Sequence, residues 1–328
     1  MIESVSAQNI SDGVSKRQLE YLSSEGDTII SAWEWVPDAE AGAQPPRAIL
    51  QIAHGMVEFI DRYDEYARVL AKAGIIVVGN DHIGHGDSVF SQKQWGELPY
   101  KNGADVLVAD VHKLRELAQK RHGAELPYFV QGHSMGSFII RKYITEHGEG
   151  LAGAIIEGTG NPSTSLSAAG KMVCSVLSAF KGKQGRSKTV DNMVLGAYSK
   201  AVPNAKTPAD WISTDEEVVN RYVNEPRNTF TFTLGGYKTL LSMTSEVARQ
   251  ESVNRIPKSL PILIESGDGD PVGEMGKAPK ALYDMCMAAG IEDVALKIYE
   301  GARHEVHNEF CKEQFYADNI AWIDSHLQ

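Results

Sequence analysis

The sequence predicts an α/β protein, a mostly parallel central sheet flanked by helices and interrupted by a helical insertion. Two observations carry this reading. From Ala48 onward, short and almost wholly apolar runs alternate with helix-length amphipathic stretches, the pattern of strands covered on both faces. The rhythm then stops after Gly160 for about 95 residues and resumes at Leu260.

The elements follow in order. Residues 28–36 alternate apolar and polar, which predicts a half-buried antiparallel pair at a sheet edge, and 41–47 read as a loop. Strands are expected over 48–53, 75–79, 128–131 and 152–156, with helices over 63–73 and 104–122. Inside the interruption Ala169, Met172, Val173, Val176, Leu177 and Phe180 fall on one helical face. A second helix is expected to open at Ser213, where Thr214 and Glu217 have capping-box spacing. Strands return at 260–266 and 294–299, and a helix over 310–326 follows. The predicted organisation is therefore a core built from residues 1–160 and 256–328, with 161–255 as a helical cap over the carboxyl edge of the sheet.

Composition removes several classes of function. The 328 residues carry 32 Lys+Arg against 43 Asp+Glu, a net charge of −11, which disfavours nucleic acid because its phosphates need clustered cations. No apolar stretch approaches the roughly 20 residues needed to cross a bilayer. The opening MIESVSAQNISDG has neither the basic start nor the apolar centre of a secretory signal, so a cytoplasmic location is expected. Cys174, Cys286 and Cys311 are widely spaced and odd in number, which predicts three reduced thiols rather than a disulfide framework. Asp81-His-Ile-Gly-His85 and His304-Glu-Val-His307 have the look of metal motifs, but the second has a spacing of three where the zinc helix motif needs four. With no phosphate-cradling glycine loop either, no metal or cofactor is expected, and no pattern specifies an oligomeric state.

The chemistry centres on Gly132-His-Ser134-Met-Gly136, a G-x-S-x-G pattern between a predicted strand and a predicted helix. A nucleophilic serine on such an elbow needs small neighbours, because its backbone is strained and strand and helix pass close together. Its partners should follow in the order acid, then histidine, each on a loop after a later strand. Asp270 in Gly267-Asp-Gly-Asp270-Pro follows one strand, and His304 follows the next. Asp268 and Asp293 compete for the acid's role, with Asp270 preferred because Pro271 fixes the loop exit. His307 competes with His304, although its plainest reading is a surface residue opening the last helix. The oxyanion of an attacked carbonyl would be held by the backbone N–H groups of Met135 and of Met56 in His54-Gly-Met56.

These segments, together with Glu58, Arg62-Tyr63, Asp81-His-Ile-Gly-His-Gly-Asp-Ser88, Asp270-Pro-Val272, Arg303-His304-Glu305 and the string 210–217 with Arg221-Tyr222, resemble the monoacylglycerol lipase and lysophospholipase branch of the α/β-hydrolase superfamily, often grouped as serine aminopeptidase-like. The resemblance runs from about Thr28 to the C-terminal residues. It implies a Ser134, Asp270, His304 triad, an oxyanion hole from Met56 and Met135, and a cap shaping an acyl pocket. The chain departs from the H-G-x-G-E-H pattern common in related lipases, carrying Val57 and Phe59 at the second Gly and the His, which predicts a more apolar pocket mouth. Val57, Phe59, Met172 and Val176 are the expected substrate contacts. The expected activity is hydrolysis of a small-molecule acyl ester through an acyl-enzyme. An aminopeptidase would use the same triad and hold a substrate ammonium on an acidic cap residue, for which Glu216, Glu217 and Glu225 are the candidates. A non-catalytic ligand-binding homologue would lack a triad member, and none is missing.

Overall fold

The computed structural model describes residues 3–10, 12–38 and 42–327. One sheet contains β1 (Glu3–Ile10), β2 (Val14–Leu22), β3 (Ile29–Pro37), β4 (Ala48–Ala53), β5 (Ile75–Asn80), β6 (Tyr128–His133), β7 (Gly153–Glu157), β8 (Ile262–Gly267) and β9 (Val294–Tyr299), in the order β1-β2-β3-β5-β4-β6-β7-β8-β9. β1, β2 and β3 pair antiparallel and β3 joins β5 antiparallel, while the strands from β5 to β9 run parallel. The antiparallel edge is larger than the pair the sequence predicts. β2 escapes notice because it is polar, yet its Lys16 is buried, spread over the faces of Trp33 and Trp35 and ion-paired with Asp61 and Asp64. The cation's cost of burial is offset by those partners, so no apolar period is needed there.

The predicted two-sided strands are found. β4, β5, β6, β7 and β8 are buried at every position. Successive side chains serve opposite layers: Ile49, Val130 and Ile156 face one core, and Leu50, Phe129 and Ile155 the other. The first layer is completed by α2 (Gly103–His122) and α3 (Met135–His147), the second by α1 (Asp64–Lys72) and α11 (Lys312–Ser325). Each such aliphatic or aromatic burial contributes on the order of 1.5–3 kcal/mol before conformational entropy is counted.

Between β7 and β8 lie α4 (Thr164–Lys181), α5 (Lys188–Val194), α6 (Gly196–Ala201), α7 (Glu216–Asn224), α8 (Leu234–Val247) and α9 (Gln250–Val253); α10 (Lys277–Ala288) joins β8 to β9. α4 is helical as the period predicts, but much of its apolar face is turned outward. Its buried positions are Ser167, Gly170 and Cys174, and a Cβ on Gly170 would lie 2.8 Å from Leu241 Cδ1 of α8. Close approach of the two helices selects the small side chains for the contact, and this leaves Leu166, Met172, Val176 and Phe180 exposed. The capping box is also corrected: Asp215 caps α7 by accepting from Glu217 N at 2.8 Å, while Thr214 bonds Glu309 instead. No helix of the described residues is long and apolar enough to cross a membrane.

The order of the strands prepares a site. From β4 the chain winds outward to β5, then returns past β4 to β6, so the loops leaving β4 and β6 diverge at their carboxyl ends. Ala53 pairs with Gly132 in register there. Such a divergence opens a crevice above the sheet, where α/β folds bind their ligands.

Candidate active site

Ser134 stands between β6 and α3 with φ +53° and ψ −116°, a conformation that costs a non-glycine residue roughly 1–3 kcal/mol. The glycines around it are sterically required. A Cβ on Gly132 would come within 2.3 Å of Gly136 O, and one on Gly136 within 1.9 Å of Ala53 O. The strained turn is held by Ser134 N–H donating to Glu157 O at 3.1 Å and by Ser137 N–H donating to Ser134 O at 2.9 Å. Ser134 is half-buried amid fully buried neighbours, so the elbow presents it to the crevice.

Asp270 and His304 come together on the loops after β8 and β9. His304 Nδ1 lies 3.0 Å from Asp270 Oδ1, and both residues are buried. A carboxylate can only accept, so this bond places the proton on Nδ1 and leaves the Nε2 lone pair unshared. Nε2 is buried and has no hydrogen-bond partner among the described residues. The neighbourhood of His304 and of Ser134 meets at the end of β7: Glu157 O holds Ser134 N–H, and a Cβ on the adjoining Gly158 would lie 3.1 Å from His304 Cε1. Trp211, which the sequence does not single out, covers the imidazole with ring centres 5.0 Å apart.

The rival residues are used elsewhere. Asp268 is exposed and accepts from Gly301 N–H at 2.8 Å, and Asp293 meets His326 Nε2 at 3.1 Å. Asp270 instead accepts from Val272 N–H at 2.8 Å, so the turn through Pro271 folds back onto its carboxylate. His307 is not a surface residue: it is fully buried, its Nδ1 2.7 Å from Glu157 Oε1, and its ring stacks on Tyr63. Glu157, itself at the buried end of β7, draws it inward.

On the loop after β4, Gly55 packs so close that a Cβ would stand 3.0 Å from Ser134 Cβ, which brings Met56 beside the serine. Met135 opens α3, so its N–H is among the four that no carbonyl of the helix can accept. Val57 has φ +58°, so this β-branched residue holds the left-handed backbone that the related pattern gives to glycine. That conformation costs roughly 1–2 kcal/mol in an L residue. Tyr222 of α7 donates its hydroxyl to Val57 O at 3.0 Å.

Beneath lies a charged network that the sequence reading touches only as fragments of the resemblance. Arg62 donates to Glu58 at 2.6 Å and to both oxygens of Glu305 at 2.8 and 2.6 Å. Glu58 also accepts from Gly55 N–H, from Tyr63 at 3.1 Å, and faces His133 Nδ1 at 3.1 Å. Burial alone would raise Glu58, but the His133 hydrogen bond and the Arg62 charge hold it well below the usual carboxylate range. Burial would likewise depress His133, but the Glu58 bond with the Glu157, Glu58 and Glu305 charges pushes it up to about 9. Donor atoms of His133, Glu157 and His307 lie within 4.8 Å of one another. Both ring nitrogens of His133 already face acceptors, Nδ1 the Glu58 carboxylate at 3.1 Å and Nε2 the His304 carbonyl at 3.3 Å. His54, His82 and His85 cluster behind the β4 loop, with burial lowering His54 to about 4 and His85 to about 3, so they pack as neutral rings. His54 Nε2 accepts from His82 N–H at 2.9 Å, a structural use of the Asp81 to Ser88 segment.

Of the expected substrate contacts, Val57 and Phe59 are buried in the loop after β4, Phe59 beneath the Arg227 guanidinium at 3.7 Å. Met172 and Val176 are corrected: they are 70% and 55% exposed on the outer side of α4, for the packing reason given above. The acidic candidates for an ammonium site are otherwise engaged or outward: Glu225 pairs with Arg227 at 2.9 Å, Glu216 with Lys206, and Glu217 is exposed.

Comparison with known proteins places this geometry in a family. The model of the hydrolase family described as serine aminopeptidase, S33, matches residues 44–310. A monoacylglycerol lipase of Mycolicibacterium smegmatis is 29% identical over 294 residues, covering 89% of this chain and 92% of that protein. The monoglyceride lipase of Mus musculus is 26% identical, covering 94% and 90%. Among solved structures, a thermostable carboxyl esterase from Bacillus coagulans in complex with glycerol superposes with a TM-score of 0.86 at 30% identity, covering 95% of this chain and 99% of that one. A matched family model over most of the chain and this shared architecture lead to one conclusion: the chain belongs to the S33 serine aminopeptidase family of α/β-hydrolases.

Proposed function

We propose that this protein hydrolyses carboxylic esters of the monoacylglycerol type through an acyl-enzyme on Ser134. The observation that carries the reading is the strained, half-buried Ser134 on the same sheet edge as a His304 whose Nδ1 is bound to Asp270 and whose Nε2 is free. Ser134 Oγ attacks the ester carbonyl as His304 Nε2 takes its proton, and the imidazolium returns that proton to the leaving alcohol. Asp270 keeps the ring oriented and stabilises its positive charge. The Met56 and Met135 N–H groups hold the developing oxyanion, and water activated by His304 then releases the acid. Residues 161–255 act as the cap, with Val57 and Phe59 lining the entrance. The names of the lipase relatives support the ester substrate, as does the glycerol in the Bacillus coagulans esterase, the alcohol a monoacylglycerol would release. The pairing of Glu225 and Glu216 with cations leaves neither as a free anchor for an aminopeptidase substrate.

The test compares wild type with Ser134→Ala on p-nitrophenyl esters of graded chain length and on a monoacylglycerol. Wild type is expected to turn over both, with Ser134→Ala lower by at least about 10⁴-fold. Equal rates in the two proteins, or wild-type cleavage of aminoacyl amides alone, would overturn the reading.

A further inference from the structure

The contact between Tyr222 and Val57 joins two parts of the chain with different origins. Val57 belongs to the loop after β4, whereas Tyr222 lies in α7, within the stretch between β7 and β8. Three observations show that α7 and its approach are bolted down. Ile212 and Val219 form a small buried cluster with Ala209, against which Trp211 and Tyr222 pack. Arg303 donates to Asp210 O at 2.6 Å and Ser213 O at 3.0 Å, and Glu305 N–H donates to Ile212 O at 2.7 Å. The Tyr222 ring also lies under the Arg62 guanidinium at 4.9 Å, and Arg62 grips both Glu58 and Glu305. One aromatic side chain thus touches the loop bearing Met56 by its hydroxyl and the ion pairs flanking His304 by its face.

A valine does not hold a left-handed conformation unaided. Where glycine would adopt φ +58° without penalty, Val57 needs an outside restraint, and the Tyr222 hydroxyl supplies a hydrogen bond to its carbonyl. If Val57 relaxed toward negative φ, the preceding peptide would rotate with it. That peptide carries the Met56 carbonyl, and as Met56 φ and ψ readjust to keep the loop joined to β4, Met56 N–H, one peptide earlier, would leave the place where an oxyanion forms.

We propose that Tyr222 is a positioning residue, which acts through the Val57 carbonyl to keep the oxyanion loop in its working conformation; this rests on the ester-hydrolase reading above. Misaimed donors weaken the transition state more than ground-state binding, so loss of the hydroxyl lowers kcat and leaves KM nearly unchanged. Because glycine at 57 removes the need for the restraint, the effect of the hydroxyl depends on which residue stands at 57.

A double-mutant cycle in the full-length protein tests this, with p-nitrophenyl butyrate as substrate and thermal unfolding to check folding. In the Val57 background Tyr222→Phe is expected to lower kcat about 10- to 100-fold, part of the loss known for deleting an oxyanion donor outright, with KM within about twofold. In a Val57→Gly background the same substitution is expected to lower kcat by less than about threefold. Equal losses in the two backgrounds would overturn the proposal, since a hydroxyl that touches substrate or only stabilises the fold does not depend on residue 57. An unchanged kcat in Tyr222→Phe would overturn it as well. Ser134→Ala is measured alongside: wild type no faster than Ser134→Ala removes the ester-hydrolase reading and the proposal together, whereas normal wild-type turnover with an intact Tyr222→Phe removes the proposal alone.

Discussion

Two halves of the stretch between β7 and β8 behave as different materials. Around 210–222 the backbone is bonded to Arg303 and Glu305, and its side chains cover His304 and reach Val57. In α4, by contrast, Met172, Val176 and Phe180 stand exposed, and the helix is seated mainly through small residues on α8. The first half shares the polar, hydrogen-bonded character of the charged network that forms the floor beneath it. The second half can vary its outward side chains without disturbing the residues below, because no described bond to Ser134, Asp270 or His304 passes through them.

The strongest way to break this comparison is at the centre of the floor. Arg62→Ala would leave the buried Glu58 and Glu305 facing one another without their cation, and removing one partner of a buried ionic network costs about 3–5 kcal/mol. Urea unfolding is expected to show a loss of that size, with activity falling in the same protein. A loss below about 1 kcal/mol would mean that the floor is no more demanding than a surface.

A weaker probe is pH. His133, pushed up to about 9, and Glu265, pushed up to about 8 chiefly by burial, hold protons in the folded chain that the unfolded chain has released. Raised folded values stabilise at low pH, and that stabilisation is lost as pH climbs through them, so stability should fall between about pH 6.5 and 9. The denaturation midpoint at pH 9 is expected to lie below that at 6.5, and Glu265→Gln should narrow the gap. A midpoint that rises over this range would contradict the protonated floor.

The smallest effect belongs to α4. Phe180, 86% exposed, should accept serine with a change within about 0.5 kcal/mol, as surface substitutions usually do. A larger loss in thermal unfolding would show that the outer half is as constrained as the inner one.

Legibility in the sequence followed the same division. Strands β4 to β8 were readable because burial on both faces forces continuous apolar runs, and the strained turn at Ser134 and the Asp270–His304 contact because an elbow pattern carries its own glycine spacing and chain order. Chemistry with a local geometric requirement leaves a local trace. β2 was hidden because Lys16 is buried by partners rather than by apolarity, and the outward turn of α4 because periodicity reports that a helix has a face but not which neighbour claims it. His307 misled for a related reason: its partner Glu157 is 150 residues away. Arg62 and Glu305 stand 243 apart, and nothing in either segment announces that one carboxylate pair will share one guanidinium. Val57 was legible only as an apolar pocket mouth; its left-handed backbone and the bond its carbonyl accepts from Tyr222 depend on a helix 165 residues further on.

The distribution of Ser134, Asp270 and His304 over the ends of β6, β8 and β9 has a consequence for biosynthesis. A ribosome that has delivered everything through β7 has made the elbow and its strained serine, but neither His304 nor Asp270. Those arrive only when two further strands add to the open edge of the sheet, after a long helical excursion has been threaded out of the way. The nascent polypeptide therefore passes through most of its synthesis with Ser134 lacking both of its proposed partners, and the proposed triad is completed late, with the final edge strand.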